Sequence, residues 1–190
     1  YTSAINAMGG GNDQTGDTMV IRGFNVGSQP VYWNGVRLPR NTFAGVAEPY
    51  GLERLELLKG PGSLLYGAAP PGGLINMVSK LPQAETLREL RVQLGSFDQR
   101  QIAGDFTGAI DPAGKFSYRL TGMLRRSDTA VDYIPDDRDF LQGALRWAPD
   151  ARTSLAVLAT RQRSRTMYNY GLPDRGTLRE HPNGNIPRAR

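Results

Sequence analysis

Glu53 and Glu56 stand three residues apart, and a pair of carboxylates is what glycosidic acid–base chemistry requires. On a strand, however, that spacing sends the two side chains to opposite faces. Arg54 and Lys59 lie close by in sequence, so ion pairing is the simpler role for this cluster. His181, the one histidine, sits beside Pro182 without the serine and carboxylate of a hydrolytic triad. Cysteine is absent, which excludes disulfides, zinc ribbons, iron–sulfur centres and thiol nucleophiles. Gly9-Gly10-Gly11 and Gly60-Pro61-Gly62-Ser63 lack the Lys-Ser/Thr that completes a phosphate-binding loop. They read as turns. Arg161, Arg163 and Arg165 recur at strand spacing near Tyr168 and Tyr170, a minor case for a nucleic-acid platform and a better one for a strand leaving a membrane.

Composition narrows the elements that must position these groups. In 190 residues there are 23 glycines and 13 prolines, about a fifth of the chain, which excludes an architecture of long helices. Charged residues at 22% and hydrophobic ones at 39% place the chain among ordered proteins. No apolar run reaches the ~18–20 residues of a membrane helix. Residues 1–160 balance acid against base, so the whole net charge of +5 falls in residues 161–190. A basic segment of this kind suits an anionic surface or ligand.

Residues 1–81 read as mixed α/β. Short strands are expected at Met19 to Arg22, Val31 to Trp33, Val36 to Leu38, Arg54 to Lys59 and Leu74 to Ser79. Asn34-Gly35 is expected to make a type I′ hairpin turn. One helical turn is expected at Pro49 to Leu52, and a short helix capped by Ser63 over Leu64 to Tyr66. Over residues 86–163 the grammar changes to strict alternation. Leu90, Val92 and Leu94 share one face, then Ile102 to Ile110, Phe116 to Leu124, Leu141 to Trp147 and Leu155 to Ala159 repeat the pattern. Period two over five segments predicts antiparallel strands. Tight turns at 95–97, 111–114 and 149–151 alternate with a longer loop from Ser127 to Asp137, the pattern of an outer-membrane barrel. Phe97, Phe116 and Trp147 near strand ends fit an aromatic girdle. A soluble sandwich or lipocalin-like barrel alternates too. Arg91, Arg119, Arg125 and Arg146 on the polar face suit a wet lumen better than a dry core.

Ile21-Arg22-Gly23-Phe24, Tyr32 to Leu38, the run Leu52-Glu53-Arg54-Leu55-Glu56-Leu57-Leu58-Lys59-Gly60-Pro61-Gly62-Ser63-Leu64-Leu65-Tyr66-Gly67 and the run Pro70 to Pro82 resemble the plug domain of TonB-dependent outer-membrane receptors, the ferric-siderophore class above all. Leu94 to Phe97, Tyr118-Arg119-Leu120 and Leu145 to Asp150 resemble the first barrel strands that follow, and Tyr168 to Pro173 the start of a long extracellular loop. The resemblance implies an α+β plug over residues 1–82, lacking its N-terminal part, followed over 83–190 by about five antiparallel strands of an incomplete transmembrane β-barrel. Five strands would leave two open edges, which lipid does not tolerate, so the chain is expected to be a piece of a longer protein.

The function so implied is active, TonB-energised uptake of a ferric siderophore, of hydroxamate type, in the outer membrane of a Gram-negative bacterium. Expected partners are the siderophore, the TonB–ExbB–ExbD complex and outer-membrane lipid, with no nucleic acid. No enzymatic activity and no cofactor are expected, the iron travelling as its chelate rather than on protein ligands. Arg22, Pro39, Arg40 and Tyr50 resemble plug positions facing the ligand, and Tyr168 and Tyr170 aromatic loop residues over it. Glu53, Arg54, Glu56 and Lys59 are expected to form salt bridges between plug and barrel. Haem, cobalamin or a glycan are alternative ligands, and a soluble β-rich binding module is the alternative from another class.

Overall fold

The computed structural model describes residues 5–7, 19–21, 24–25, 31–38, 47–59, 72–130, 133–167 and 179. Ser63 and the helix expected after it lie outside them. Three short strands come first: β1 (Ile5–Ala7), β2 (Met19–Ile21) and β3 (Phe24–Asn25), antiparallel in that order. A four-stranded sheet follows, built from β4 (Val31–Trp33), β5 (Val36–Leu38), β6 (Leu52–Lys59) and β7 (Gly73–Ser79) in the order β5-β4-β7-β6.

The β4–β5 hairpin turns where the sequence places it. Asn34 and Gly35 take φ of 50° and 80°, the paired positive values a type I′ turn needs and that Asn-Gly supplies with little strain. Strand β7 runs through the middle of its sheet and is buried along nearly its whole length, so its Leu74-Ile75-Asn76-Met77 reads as a continuous rather than alternating run. It pairs antiparallel with β6 but parallel with β4, through Tyr32↔Asn76 and Trp33↔Met77. Its polar members are matched: Asn76 Oδ1 accepts from the Gly35 amide at 3.0 Å, and Ser79 Oγ accepts from Trp33 Nε1 at 2.7 Å. Ile21 packs on Ile75 and Leu57, tying the first sheet to the second.

The chain then leaves through residues 80–86 and builds a five-stranded antiparallel meander: β8 (Leu87–Leu94), β9 (Arg100–Ala109), β10 (Phe116–Arg126), β11 (Asp137–Trp147) and β12 (Leu155–Arg165). All five alternating segments are strands. The third connection is shorter than expected, since β11 already begins at Asp137, and β12 extends through the three arginines. Turn chemistry fixes the register. Asp111 accepts from the amides of Phe116 at 2.6 Å and Lys115 at 3.2 Å, and these N–H groups, Phe116's first, hold its carboxyl below the usual carboxylate range. Asp150 does the same for Arg152 and Thr153 in the next turn.

The two faces of this sheet have opposite fates. Leu90, Ile102, Leu120, Leu124, Leu141, Leu145 and Val157 are all exposed on one face. Asp105, Thr107, Arg119, Thr121 and Gln142 are buried on the other. A soluble protein would place them the other way round. From Phe116 to Leu124 the strand rises roughly 27 Å, comparable with the roughly 25 Å apolar band of an outer-membrane barrel. Phe116 and Trp147 stack at one end of that band, ring centroids 6.3 Å apart, as a girdle would place them. No helix among the described residues is long and apolar enough to cross a membrane, a statement silent on crossing by strands.

Candidate functional site

The polar face of the meander is covered by three pieces of the N-terminal unit: Glu48, the 3₁₀ turn Pro49–Gly51, and the segment after β7. Pro49 opens that turn and Glu48 caps it, accepting from the Tyr50 amide at 3.1 Å. Register lines up one polar residue per strand, Glu89–Asp105–Thr121–Gln142–Thr160, and most of this row is spent on the covering pieces. Tyr50 Oη donates to Glu89 at 3.1 Å. Gln142 Nε2 donates to the carbonyls of Gly51 at 3.2 Å and Lys80 at 3.3 Å. Thr160 donates to the Gln142 amide oxygen at 3.3 Å.

At the centre lies a buried charge cluster. Asp105 accepts two bonds from the Arg119 guanidinium, 2.9 and 2.8 Å, one from Lys80 Nζ at 2.8 Å and one from Thr121 at 3.1 Å. Arg119 also donates to the Leu81 carbonyl at 3.0 Å and to Glu53 at 3.2 Å. The side chains of Asp105 and Arg119 are only 3% and 5% exposed. A charge withdrawn that far from water is tolerable only with its polar atoms partnered, and here each carboxylate oxygen and each guanidinium nitrogen has at least one partner. A second cluster holds Glu48: Arg138 reaches Glu48 at 3.5 Å and Asp136 at 2.9 Å, and Asp136 takes Arg125 at 2.9 Å. Asp136 ends the 127–136 loop, so this loop is ionically joined to the covering segment.

Among the four residues expected to bridge the two units, Glu53 does so, through Arg119. It can because the β6–β7 register shifts between Leu52 and Arg54, which leaves Glu53 out of the ladder. Arg54 and Glu56 pair with each other instead, at 2.7 Å across two positions of one strand. Glu56 also accepts from Asn76 at 2.8 Å, and that bond, followed by Arg54's, lowers its carboxyl. Among the described residues Lys59 makes no ion pair. For Arg54 and Glu56 the bridging expectation is thus replaced by contacts within the β6–β7 ladder, and Lys59 shows none among the described residues.

Tyr50 packs into the junction. Its ring borders Ala103, Met123 and Phe140, and Lys80 Nζ lies 4.3 Å from its centroid. Burial, aided by the Glu89 bond, pushes its hydroxyl up to about 12. The folded chain therefore holds this proton to about pH 12, whereas an unfolded one releases it near pH ~10. The stability Tyr50 contributes is whole below pH ~10 and is lost as pH climbs towards ~12. Ultraviolet titration of tyrosinate is expected to show a late phase that Tyr50→Phe removes; an unchanged late phase would refute the assignment. Arg22, Pro39, Arg40, Tyr168 and Tyr170 lie outside the described residues.

Sequence reading passed over Lys80, Asp105, Gln142, Glu48 and Arg138. The usable signal was in the alternation itself: charged and amide side chains at every second place of strands whose other face is leucine and isoleucine. Among the described residues no cluster of carboxylates and histidine is placed to hold a metal ion.

Residues 1–74 match the family described as TonB-dependent Receptor Plug Domain. The whole chain is similar to the ferrichrome outer membrane transporter/phage receptor of Escherichia coli K12, 38% identical over 97% of this chain and 25% of the relative. It is 32% identical to the ferrioxamine B receptor of Salmonella typhimurium LT2, over 98% of this chain and 27% of that one. It thus spans about a quarter of the length of these curated relatives. Among solved structures it superposes on the closed form of the ferric-catecholate import receptor Fiu from Escherichia coli K12 with a TM-score of 0.77, at 23% identity over 92% of this chain and 24% of that chain. The pyoverdine receptor FpvA of Pseudomonas aeruginosa PAO1 gives 0.76, at 24% identity over 84% and 23%. The plug-family match over residues 1–74 and the 38% identity along 97% of this chain make it a member of the TonB-dependent receptor family, carrying the plug and adjoining strands.

Proposed function

We propose that this chain is the plug and leading strand region of an outer-membrane receptor that takes up a ferric siderophore of hydroxamate type, with energy delivered through TonB–ExbB–ExbD. The observation that carries the reading is the inverted sheet: apolar side chains outward, and a polar face fastened to the plug through Asp105, Arg119 and Gln142. That arrangement suits a lipid-facing wall around a removable stopper, and it offers transport rather than bond-making chemistry. The hydroxamate assignment is supported by similarity to relatives named for ferrichrome and ferrioxamine. The iron would cross as its chelate, with no protein ligand and no resident cofactor.

Arg22, Pro39, Arg40, Tyr168 and Tyr170 are proposed as the ligand contacts. Arginine would donate to chelate oxygens and tyrosine would pack on the carbon frame. Tyr50 belongs to this set only at one remove, since its hydroxyl and ring face are taken by Glu89 and Lys80.

Growth of an iron-limited strain dependent on the full receptor is the test. Ferric hydroxamates are expected to support growth, and Tyr168→Ala with Tyr170→Ala to weaken uptake about tenfold or more, on the order of two modest contacts. Growth on a ferric catecholate alone would overturn the ligand class. Normal hydroxamate uptake by the double variant would overturn the contacts.

A further inference from the structure

Three donors on the inner face of the meander are filled by one short stretch of the plug. Arg138 Nη1 donates to the Glu48 carboxylate at 3.5 Å, Gln142 Nε2 to the Gly51 carbonyl at 3.2 Å, and Arg119 Nη1 to the Glu53 carboxylate at 3.2 Å. All three donor side chains are buried, and they stand in file. Arg138 and Gln142 lie four residues apart on β11, and Arg119 of β10 is the register partner of Ala144, two residues further on. At about 3.4 Å per residue the file is roughly 20 Å long. It runs from the end of the sheet that carries the 127–136 connection towards the Phe116–Trp147 stack. Contacts of the opposite sense sit on the flanking strands, where Glu89 of β8 accepts from Tyr50 and Gln162 of β12 accepts from the Glu48 amide.

Charge follows the same division. Residues 48–53 carry two carboxylates and no cation. Arg119, Arg125, Arg138 and Lys80 are balanced by Asp105 and Asp136 of the strands only together with Glu48 and Glu53 of that stretch. Moving the stretch aside takes away both plug carboxylates and one acceptor from each donor in the file. A buried guanidinium short of an acceptor is strongly disfavoured, so the bared wall has a standing demand for oxygen.

We propose that residues 48–53 stand in for the cargo: their oxygens occupy a line of wall donors, Arg138, Gln142 and Arg119, that receives the oxygens of a ferric hydroxamate once the stretch has moved aside. Hydroxamate oxygens accept hydrogen bonds as carboxylate and amide oxygens do. Arg138 keeps Asp136 and Arg119 keeps Asp105 through the exchange, so each planar guanidinium stays oriented while one of its edges changes partner. The inference rests on the transport reading above, and it concerns the path past the plug rather than the contacts proposed for first binding.

Seating the plug and serving the path separate by substitution. Glu48→Gln and the pair E48Q/R138Q both remove the ion pair, but only the second removes the wall guanidinium. In cells carrying the full receptor, binding of a neutral ferric trihydroxamate is measured without an energy supply, and its saturated uptake rate with one. Glu48→Gln is expected to import at the parent's rate or above it. E48Q/R138Q is expected to bind as the parent does and to import about tenfold more slowly, the size of one charge-assisted hydrogen bond. E48Q/R138K, which returns the cation, should recover most of that loss. Equal uptake by the single and double variants overturns the inference. So does a joint loss of binding and uptake in E48Q/R138Q, which would leave Arg138 as a residue that only seats the plug. A parent receptor that neither binds nor imports the trihydroxamate would overturn the transport reading itself.

Discussion

Asp105→Ala is expected to destabilise the seated plug by about 3–5 kcal/mol, the cost typical of removing one partner from a buried ion pair. The alanine leaves Arg119, 5% exposed, holding only Glu53 and the Leu81 carbonyl, and leaves Lys80 with no acid. Two cations then face each other where one carboxylate separated them. Asp105→Asn keeps the shape and one acceptor oxygen, which can still serve Arg119 and Thr121, but sets an amide NH2 against the Arg119 and Lys80 donors, so its cost should be smaller than alanine's without vanishing. Trp33 reports on the plug side, since its indole donates to Ser79 within the β4–β7 sheet. Denaturant unfolding followed by its fluorescence should show a lower midpoint for the alanine variant than for the asparagine one. A midpoint for Asp105→Ala within error of the parent would mean that the cluster does not hold the plug.

The other large effect comes from an absence of side chain. Gly51 ends the 3₁₀ turn with its α-carbon so close to the buried Phe140 ring that an added Cβ would overlap Phe140 Cζ. Gly51→Ala is therefore expected to cost about 1–3 kcal/mol as overpacking. The ring cannot swing away, because Phe140 is 3% exposed and packed among Ala103 and Met123. Phe140→Leu alone makes a small cavity and should also destabilise. Together the two changes should cost less than their sum, since the shorter side chain makes room for the methyl. Additive costs in that double-mutant cycle would show that the turn can lift off the sheet without resistance.

The strand sheet was legible because alternation is a local property. Each of Leu90, Ile102, Leu120, Leu141 and Val157 declares its face by its own neighbours, and Asn34-Gly35 declares its turn from two residues. What alternation cannot declare is partnership. Arg119 could be read as inward-facing, but its acid lies 14 residues back on β9, selected by the register of two strands. Glu48 finds Arg138 across 90 positions. The bulge that frees Glu53 leaves no mark in the residue types around it, and so four charges of β6 looked equivalent when one of them crosses to the strands. Gly51 resembled any turn glycine until Phe140 was placed against it.

The parallel pairing of β4 with β7 bears on the order in which the molecule assembles. Every ladder from β8 to β12 joins neighbours in sequence, so each hairpin closes a short loop and has low contact order. Tyr32 and Asn76, by contrast, meet only after 44 residues have been drawn into a loop, at an entropic cost that grows with the logarithm of its length. On loop length alone the meander is expected to form ahead of the β4–β7 pairing. Pulse-labelled hydrogen exchange during refolding is therefore expected to protect the β8–β12 ladders before the β4–β7 pairing, with the row of Asp105, Thr121 and Gln142 serving as the template for the plug.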